Sequence, residues 1–401
     1  KKIEKGRGEV VYVGLSGGVD SSVAALLLKQ QGYNVRGVFI KTWQPDYIEC
    51  TWKEDRLDAM RVAAQLDIPF ETLDFEKEYK ESVVDYMISE YMAGRTPNPD
   101  IMCNKYVKFG AFYKYVKSID SSAMVATGHY ARVVPISLGE GLGASLSLSK
   151  AKDQSKDQVY FLSQINKEIF KDILFPLGDK LKSEVRQIAK DKNLFVAEKK
   201  DSQGICMLGD ISMKDFLKKE IEERIKHNSH LAHLLHKGDI FIKDMSDHNL
   251  VKVGTQNGAI FYTIGERIHV NELHNADSQP YFVIDKDIMR NQVYVSTNKE
   301  EKNKGRIYSI KMWNYTSNVD LKGGSIYEGQ TRYHGEMHRF KVVDYEMCLE
   351  MDDIMNLSDD REISFNYNVK LEVLDENTLM VSGQTIVLYN GNIMIGGGII
   401  S

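Results

Sequence analysis

The chain has 401 residues, of which 42% are hydrophobic and 27% are charged, and its formal net charge is −5. These values describe an ordinary soluble globular chain of two or three domains, and they do not indicate a nucleic-acid binder as a whole. No apolar stretch approaches the ~20 residues of a membrane span, and the N-terminus shows no apolar core of a secretion signal. Four cysteines are too few for a disulfide scaffold, so we expect a cytoplasmic protein. Because no membrane span is visible, we expect no membrane partner.

The first third of the chain predicts a parallel α/β sheet. From Glu9 to about Arg132, β-type runs alternate with helical runs, which is typical of right-handed βαβ units. The predicted strands are Val10–Leu15, Val35–Trp43, Phe70–Phe75 and Ala123–Thr127, and the predicted helices are Asp55–Asp67, Glu76–Met92, Lys167–Leu174, Lys182–Leu194 and Lys214–Lys226.

A turn rich in glycine and serine follows the first predicted strand. It reads Ser16-Gly17-Gly18-Val19-Asp20-Ser21-Ser22 and leads into a buried helical run. Backbone N–H groups of such a turn and the positive end of the next helix point at an anion, which predicts a phosphate site. The alternative is an ordinary tight strand-to-helix turn. No Gly-Lys-Ser/Thr closes the motif, so it is not a Walker A loop. It resembles the PP-loop of enzymes that split ATP into AMP and pyrophosphate to adenylate a substrate.

Cys103 is the first candidate nucleophile. Pro97 and Pro99 disfavour helix before Asp100, and we expect a helix to start near Asn104. Cys103 would then lie at a helix N-terminus, where the helix dipole lowers the pKa of a thiol. Asp100 is within reach of the same site as a general acid or base. The alternative is a buried structural cysteine beside an N-capping aspartate.

Cys206 is the second candidate, in the segment Asp201–Gly209. Lys199 and Lys200 could favour its thiolate, although a plain core cysteine also fits the local sequence. Between residues 180 and 200, seven basic and three acidic residues leave an excess of four positive charges. Such a segment could follow a phosphate backbone or form a solvated helix face.

Four histidines recur every three residues, which could suggest a metal site. A three-residue period spreads imidazoles around a helix, and no cysteine is near, so we expect a surface segment without metal. These residues are His227, His230, His233 and His236.

The sequence after about Gly238 predicts β structure. Short β-type runs separated by Gly, Asn and Asp favour a small linking sheet and a terminal β-barrel or sandwich. Ile136–Ser149 is expected to be a surface hairpin or loop. The predicted domains are 1–212, 213–285 and 286–401. The predicted strands are Asp239–Lys243, Ala259–Thr263, Tyr281–Asp285, Gln292–Ser296, Asn366–Val373, Leu379–Ser382 and Thr385–Tyr389.

Seven motifs in order resemble those of the tRNA-specific 2-thiouridylases, and the likeness extends from about Val10 to the C-terminus. They are SGGVDSS, GRTPNPDIMCNKYVKF, ATGHYAR, KDQVYFL, DSQGIC, YTIGER and GGGII. The resemblance implies an α/β fold, with a Rossmann-like parallel-sheet PP-loop domain, a small central β-rich domain and a C-terminal β-barrel that contacts tRNA. It also implies that ATP, with Mg²⁺, adenylates the position-2 oxygen of the wobble uridine in tRNA anticodons, which sulfur then replaces.

The resemblance assigns roles to individual residues. It implies that a cysteine desulfurase or relay protein places a persulfide on Cys206, and that Cys103 is the other catalytic thiol and forms a disulfide with it. Asn98, Pro99 and Asp100 match the segment that contacts the target base, with Asp100 as candidate acid or base. The positions that match ATP contacts are Gly14, Leu15, Ser16, Gly17, Gly18, Val19, Asp20, Ser21, Ile40 and Gly128. Those that match tRNA contacts are His129, Lys156, Asp157, Gln158, Arg332, Tyr333 and Gln384.

Some features depart from the family pattern. Glu266–Glu272, Val381–Gln384 and Ile393–Gly398 differ from the usual motifs, and Asp344–Phe365 is longer than the family norm. These departures concern C-terminal tRNA contacts, Gln384 in particular. Cys50 and Cys348 are expected to be non-catalytic, and the protein is expected to be a monomer.

Two other functions are compatible with parts of the sequence. One is another adenylating PP-loop enzyme, such as a tRNA lysidine synthetase or an amidotransferase-type synthetase, which needs neither cysteine motif. The other is a catalytically silent ATP- or tRNA-binding module, against which the intact Ser16, Asp20, Asp100, Cys103 and Cys206 argue.

Overall fold

The computed structural model describes residues 6, 8–47, 52–137, 144–200, 212–243, 250–269, 280–297, 303–350 and 364–401. A five-stranded parallel sheet occupies the first part of the chain, with strand order β3-β2-β1-β4-β7. Within the described residues, no helix is both long and apolar enough to cross a bilayer. The strands are β1 (Val10–Gly14), β2 (Asn34–Lys41), β3 (Phe70–Asp74), β4 (Met124–Ala126) and β7 (Ile173–Leu174).

Helices cover both faces of this sheet. Because side chains alternate along a strand, Val11 and Val13 of β1 face one layer and Tyr12 faces the other, and all three are buried. The first layer contains α1 (Val19–Gln30), α2 (Trp52–Gln65) and α7 (Lys182–Asp191). The second layer contains two longer helices, over residues 76–92 and 99–119. The first is formed by α3 (Glu76–Tyr79), a π-helical stretch (Lys80–Asp85) and α4 (Tyr86–Met92). The second is formed by α5 (Pro99–Met102), a π-helical stretch (Cys103–Ala111) and α6 (Phe112–Ile119).

One predicted helix in this region is wrong. Lys167–Asp172 is a 3₁₀ turn, and Ile173–Leu174 is the edge strand β7, which pairs with β4. A short apolar run such as Ile173–Leu174 is compatible with a helix or a strand. It forms a strand here because it pairs with the edge of β4. The predicted helix at Lys214–Lys226 is confirmed as α8 (Met213–His227).

A second five-stranded sheet follows α8, with order β10-β11-β12-β8-β9. Its strands are β8 (Gly238–Lys243), β9 (Leu250–Gln256), β10 (Arg267–Ile268), β11 (Tyr281–Asp287) and β12 (Gln292–Ser296). β12 pairs parallel with β8, so this sheet extends beyond residue 285. The predicted strand at Ala259–Thr263 is wrong, because Ala259–Phe261 is a 3₁₀ turn.

The last part of the chain forms a closed antiparallel barrel of six strands. The pairing of β13 with β18 closes the ring, and Trp313 lies fully buried inside it. The predicted strand at Leu379–Ser382 is wrong, since this segment has no strand structure. The barrel strands are β13 (Ile307–Tyr315), β14 (Ile326–Gln330), β15 (His338–Glu350), β16 (Ser364–Val373), β17 (Thr385–Asn390) and β18 (Ile393–Ile400).

The barrel is joined to the first domain by a hairpin and by hydrogen bonds. The hairpin β5 (Arg132–Ser137) and β6 (Ala144–Ser149) belongs in sequence to the first domain, yet β6 pairs with β18. The hydroxyl of Tyr160 donates to the carbonyl of Thr385 over 2.7 Å, and Nε2 of Gln164 donates to the carbonyl of Gly397 over 2.8 Å. This junction places one end of the barrel beside the segment that contains Cys103.

Candidate active site

The phosphate-type turn has the backbone geometry that its sequence predicts. Gly17 has a φ of +73°, and a Cβ at this position would lie 2.3 Å from the carbonyl oxygen of Asp55. Gly18 is the extended N-cap of α1 and has no side chain that could accept from the first-turn amides, which are the groups that bind anions at a helix N-terminus. The hydroxyls of Ser16 and Ser21 lie 3.2 Å apart across the turn. The turn thus has the glycine conformations that its sequence predicts, and anion binding there stays a prediction.

The loop after β4 packs against the same turn. A Cβ on Gly128 would lie 2.7 Å from the amide nitrogen of Ser21, so only a glycine permits this approach. β1, β2 and β4 are neighbouring parallel strands, so their carboxyl ends share an edge, and Ile40 lies near the end of β2 at that edge. The structure thus brings together the positions from Gly14 to Ser21 with Ile40 and Gly128.

Asp20 in this turn is bound by two side chains from distant parts of the chain. Nζ of Lys182, the first residue of α7, lies 2.8 Å from Oδ1 and 2.7 Å from Oδ2 of Asp20. The hydroxyl of Tyr130 donates to Oδ1 of Asp20 over 2.9 Å. Sequence reasoning did not assign Tyr130 and treated Lys182 only as part of a basic run. The position of Lys182 at the start of a predicted helix was the sequence feature that could have singled it out.

Cys103 does not lie at a helix N-terminus, and that prediction is wrong. The helix begins at Pro99 with Asn98 as its N-cap, and Oδ1 of Asn98 accepts from the amide of Ile101 over 3.3 Å. Proline suits the first position of a helix because its missing N–H needs no partner there. The amide of Cys103 already bonds to carbonyls one turn earlier, so helix-end amides do not stabilise a thiolate. Its side chain is fully buried, one helical turn from Asp100.

Tyr333, a predicted tRNA-contacting residue, lies close enough to Asp157 and Asp100 for their charges to act on its hydroxyl. Burial, together with the charges of Asp157 and Asp100, raises the pKa of Tyr333 to about 12. The hydroxyl of Tyr333 is thus protonated well beyond the neutral range and remains a hydrogen-bond donor. Its ring lies between those of Phe161 and His334, with centroids 4.2 and 4.0 Å away. A cleft of about 360 Å³ opens here between the first domain and the barrel.

His129 lies in a second aromatic cluster. Its ring centroid is 6.0 Å from that of Phe109 and 6.2 Å from that of Phe175. Nδ1 of His129 is 2.7 Å from the hydroxyl of Thr127. Burial and the nearby charge of Lys108 hold the pKa of His129 well below its ordinary value, so the imidazole is neutral at pH 7.

The Lys156–Gln158 segment makes mainly internal contacts. Oδ1 of Asp157 accepts from the amide of Ala151 over 2.7 Å, and burial raises the pKa of Asp157 to about 6. Gln158 bonds to both backbone polar groups of Tyr130. The amide of Lys156 donates to the carbonyl of Asp153. Gln158 thus helps to position Tyr130, which in turn contacts Asp20.

The two other predicted tRNA-contacting positions lie on the barrel. Arg332 is exposed beside the cleft. Nε2 of Gln384 donates to the carbonyl of Thr96 over 2.9 Å, and the amide of Thr96 donates to the carbonyl of Ser382. Gln384 therefore holds the barrel against the segment that leads to Asn98.

The basic run before residue 200 is partly neutralised. Nζ of Lys199 lies 2.8 Å from carboxylate oxygens of both Asp55 and Asp58. Lys190 pairs with Glu198 at 3.2 Å. These pairs favour a structural role for Lys199 over phosphate contact.

Two other predictions concern cysteines and metal. Cys206 and Cys50 lie outside the described residues, and so does the side chain of Cys348, so the structure does not test the pairing of Cys103 with Cys206. No group of three or more His, Cys, Asp or Glu side chains that could hold a metal ion occurs among the described residues. The histidines between residues 227 and 236, all in the described part, form no such group.

The fold and site together define an α/β protein with a glycine–serine turn between β1 and α1, joined to a second sheet and a closed β-barrel. Residues 9–210 match the family model of the tRNA methyl transferase HUP domain, and residues 228–297 match that of the tRNA methyl transferase PRC-barrel domain.

Curated relatives refine this class. The tRNA-specific 2-thiouridylase MnmA of Christiangramia forsetii is 42% identical over 72% of this chain and 77% of its own. That of Francisella philomiragia is 37% identical over 97% of this chain and 98% of its own. The solved U34-tRNA thiolase NcsA from Methanococcus maripaludis overlaps 58% of this chain and 71% of its own at 17% identity, with a TM-score of 0.33. The chain belongs to the tRNA-specific 2-thiouridylase family, whose members are tRNA sulfurtransferases.

Proposed function

We propose that this protein replaces the position-2 oxygen of the wobble uridine of tRNA with sulfur, at the expense of ATP. The observation that carries the proposal is the cradle from Ser16 to Ser22, placed in the same domain as a buried cysteine one helical turn from a carboxylate. The anion cradle would bind the ATP that activates the uridine oxygen, and the thiol would take part in the transfer of sulfur.

Activation comes first, because a uridine oxygen does not leave unassisted. The position-2 oxygen attacks the α-phosphorus of ATP, the new O–P bond forms, and pyrophosphate leaves with the electrons of the broken P–O bond. The N3 proton of uridine goes to a base, for which Asp100 is the candidate. Positions Gly14 to Ser21, with Ile40 and Gly128, are the proposed ATP site.

Mg²⁺ enters as part of the nucleotide substrate. It keeps several waters and is usually held by substrate phosphates with one or two carboxylates, so no protein cage is required. Asp20 is the carboxylate of the cradle, and its two oxygens are bonded to Lys182.

Sulfur transfer follows in two steps. The terminal sulfur of a persulfide on Cys206 attacks C2 of the adenylated uridine, and AMP leaves with the former position-2 oxygen. The thiolate of Cys103 then attacks Sγ of Cys206, which forms a Cys103–Cys206 disulfide and releases 2-thiouridine, whose N3 regains a proton. A thiol reductant and a sulfur donor, either a cysteine desulfurase or a relay protein, restore the starting state. We propose that the protein works as a cytoplasmic monomer.

The target base must leave the anticodon stack to reach a buried thiol. Enzymes that modify a base commonly flip it into a pocket and read its edges. Asn98, Pro99 and Asp100 begin the helix that contains Cys103, and they are the proposed contacts to the flipped uridine. The proposed contacts to the rest of the tRNA are His129, Lys156, Asp157, Gln158, Arg332, Tyr333 and Gln384.

The test is thiolation of anticodon-bearing tRNA in vitro with ATP, a desulfurase and the full chain. Cys103→Ser and Cys206→Ser are each expected to abolish 2-thiouridine formation while ATP–pyrophosphate exchange continues, because the thiols act after activation. Cys348→Ser is the matched control and is expected to retain product formation. Wild-type product from Cys206→Ser would refute the persulfide assignment, and the absence of exchange in the unaltered chain would refute adenylation.

A further inference from the structure

Strand β15 continues well beyond its neighbour β14. The pairing with β14 ends at Lys341, whereas the pairing with β16 extends to Glu350, opposite Ser364. We call residues 343–350 the β15 extension, and in the described part of the chain its strand partner is β16 alone. Most of the extension lies in the segment that is longer than the family norm, and the proposed reaction gives it no role.

The inner face of the barrel continues onto the β15 extension. In β16, Val369 and Leu371 are fully buried in the barrel core. Paired residues of neighbouring strands lie on the same face of a sheet. Tyr345 pairs with Val369, and Met347 pairs with Tyr367. Tyr345 and Met347 therefore have the orientation of core residues.

These side chains are nevertheless open to solvent. Tyr345 is 44% exposed and Met347 is 63% exposed, and Val343, at the bulge before them, is 40% exposed. The ring of Tyr367 meets that of Tyr315 edge-on, with centroids 5.1 Å apart. Apolar side chains grouped on a surface mark interaction sites, and tyrosine and methionine are enriched in protein–protein interfaces. This face therefore has the composition of a docking surface for a protein.

The sequence around the β15 extension is strongly acidic. Residues 344–365 include eight acidic residues and one basic residue, a net charge of −7, whereas the whole chain has a net charge of −5. The rest of the chain therefore carries +2. Because like charges repel, this surface disfavours both the phosphates of tRNA and a second copy of itself. It favours a protein whose apolar strip is bordered by lysine or arginine.

The β15 extension leads away from the cleft beside Tyr333. Gly335 lines that cleft, and β15 begins shortly after it, at His338. At about 3.3 Å per residue, the strand runs about 23 Å from His338 to Tyr345. A partner bound to the extension therefore leaves the cleft open to tRNA.

We infer that the exposed face of the β15 extension binds the protein that supplies sulfur. This inference rests on the proposed sulfur transfer, which consumes one persulfide for each tRNA and so requires the donor protein to return in every cycle. Tyr345 and Met347 are the central contacts, and the acidic surroundings attract the donor. No covalent step takes place on this surface.

The experiment measures, by calorimetric titration of the full chain, binding of the desulfurase used in the thiolation assay. The double variant Tyr345→Ser/Met347→Ser is expected to weaken this binding about tenfold or more, because a few central aromatic and apolar contacts dominate interface affinity. Urea unfolding should change little, since both side chains are exposed. Ile307→Ser/Ile326→Ser removes two side chains, each 56% exposed, from β13 and β14; it is the matched control and should leave desulfurase affinity unchanged. Added sodium chloride should weaken binding of the desulfurase by the unaltered chain.

The outcomes separate this inference from the proposed function. Equal desulfurase affinity of the two double variants would overturn the inference, and so would the absence of desulfurase binding by the unaltered chain. A dimer that Tyr345→Ser/Met347→Ser dissociates in sedimentation would assign the face to a second copy, and a loss of tRNA affinity alone would assign it to tRNA; either result overturns the inference. If the unaltered chain binds the desulfurase through this face but neither exchanges pyrophosphate into ATP nor forms 2-thiouridine, the proposed function fails and the docking surface stands.

Discussion

Replacement of Gly17 by alanine tests whether the turn after β1 is held by backbone geometry. A φ of +73° costs an alanine about 1–2 kcal/mol relative to glycine. The new Cβ would also lie 2.3 Å from the carbonyl oxygen of Asp55, well inside ordinary contact, and relief of this overlap adds about 1–3 kcal/mol. We expect a total loss of about 2–5 kcal/mol in the free energy of unfolding.

Gly8→Ala is the matched control in the same domain. Gly8 has a φ of +77°, yet a Cβ there would meet nothing within 4 Å, so only the backbone cost of about 1–2 kcal/mol applies. Urea unfolding followed by circular dichroism measures the difference between the two variants. ATP–pyrophosphate exchange should fall for Gly17→Ala and persist for Gly8→Ala. Equal destabilisation with normal exchange in both variants would refute the reasoning.

Three further perturbations have defined outcomes. Asp157 has a pKa of about 6 in the folded protein, above its ordinary 3.8, so its contribution to stability is complete below pH ~4 and is lost as the pH rises through ~6. Asp157→Asn should flatten this decline in a profile of melting temperature against pH, and an unchanged profile would contradict the assignment. Tyr160→Phe leaves the buried carbonyl of Thr385 without its 2.7 Å donor and should cost about 1–3 kcal/mol in urea unfolding; a neutral effect would show that the barrel contact contributes nothing. Lys199→Met should lower the free energy of unfolding by about 1 kcal/mol and leave tRNA affinity, measured by filter binding, nearly unchanged. A tenfold loss of affinity would show that Lys199 contacts tRNA.

Local sequence was sufficient for features governed by near neighbours. The tight turn between β1 and α1 follows from two glycines and three serines after a β-type run, and Gly17 and Gly18 adopt the conformations that this pattern requires. The parallel sheet follows from the alternation of strands and helices. Regular short strands in the last third of the chain favoured a barrel or a sandwich, and the pairing of β13 with β18 decided for the barrel.

Sequence reasoning failed where two local structures were compatible with the same residues. Pro97 and Pro99 restrict the chain, but Pro99 is equally suited to the first position of a helix, which moved the helix start ahead of Cys103. Ile173–Leu174 became a strand because the edge of β4 was available for pairing. The run Ala259–Thr263 has β-type residues, yet its first three form a turn.

The sequence by itself determined the glycine–serine turn after β1 and the alternation of strands and helices around it, since each is encoded within a few consecutive residues or in a local period. Only the tertiary structure decided which distant groups meet. It placed Lys182 and Tyr130 on Asp20, Gln384 on Thr96, and Tyr333 near both Asp100 and Asp157. The physical reason is that these contacts depend on how sheets and helices pack, and packing joins residues more than a hundred positions apart that no local pattern relates.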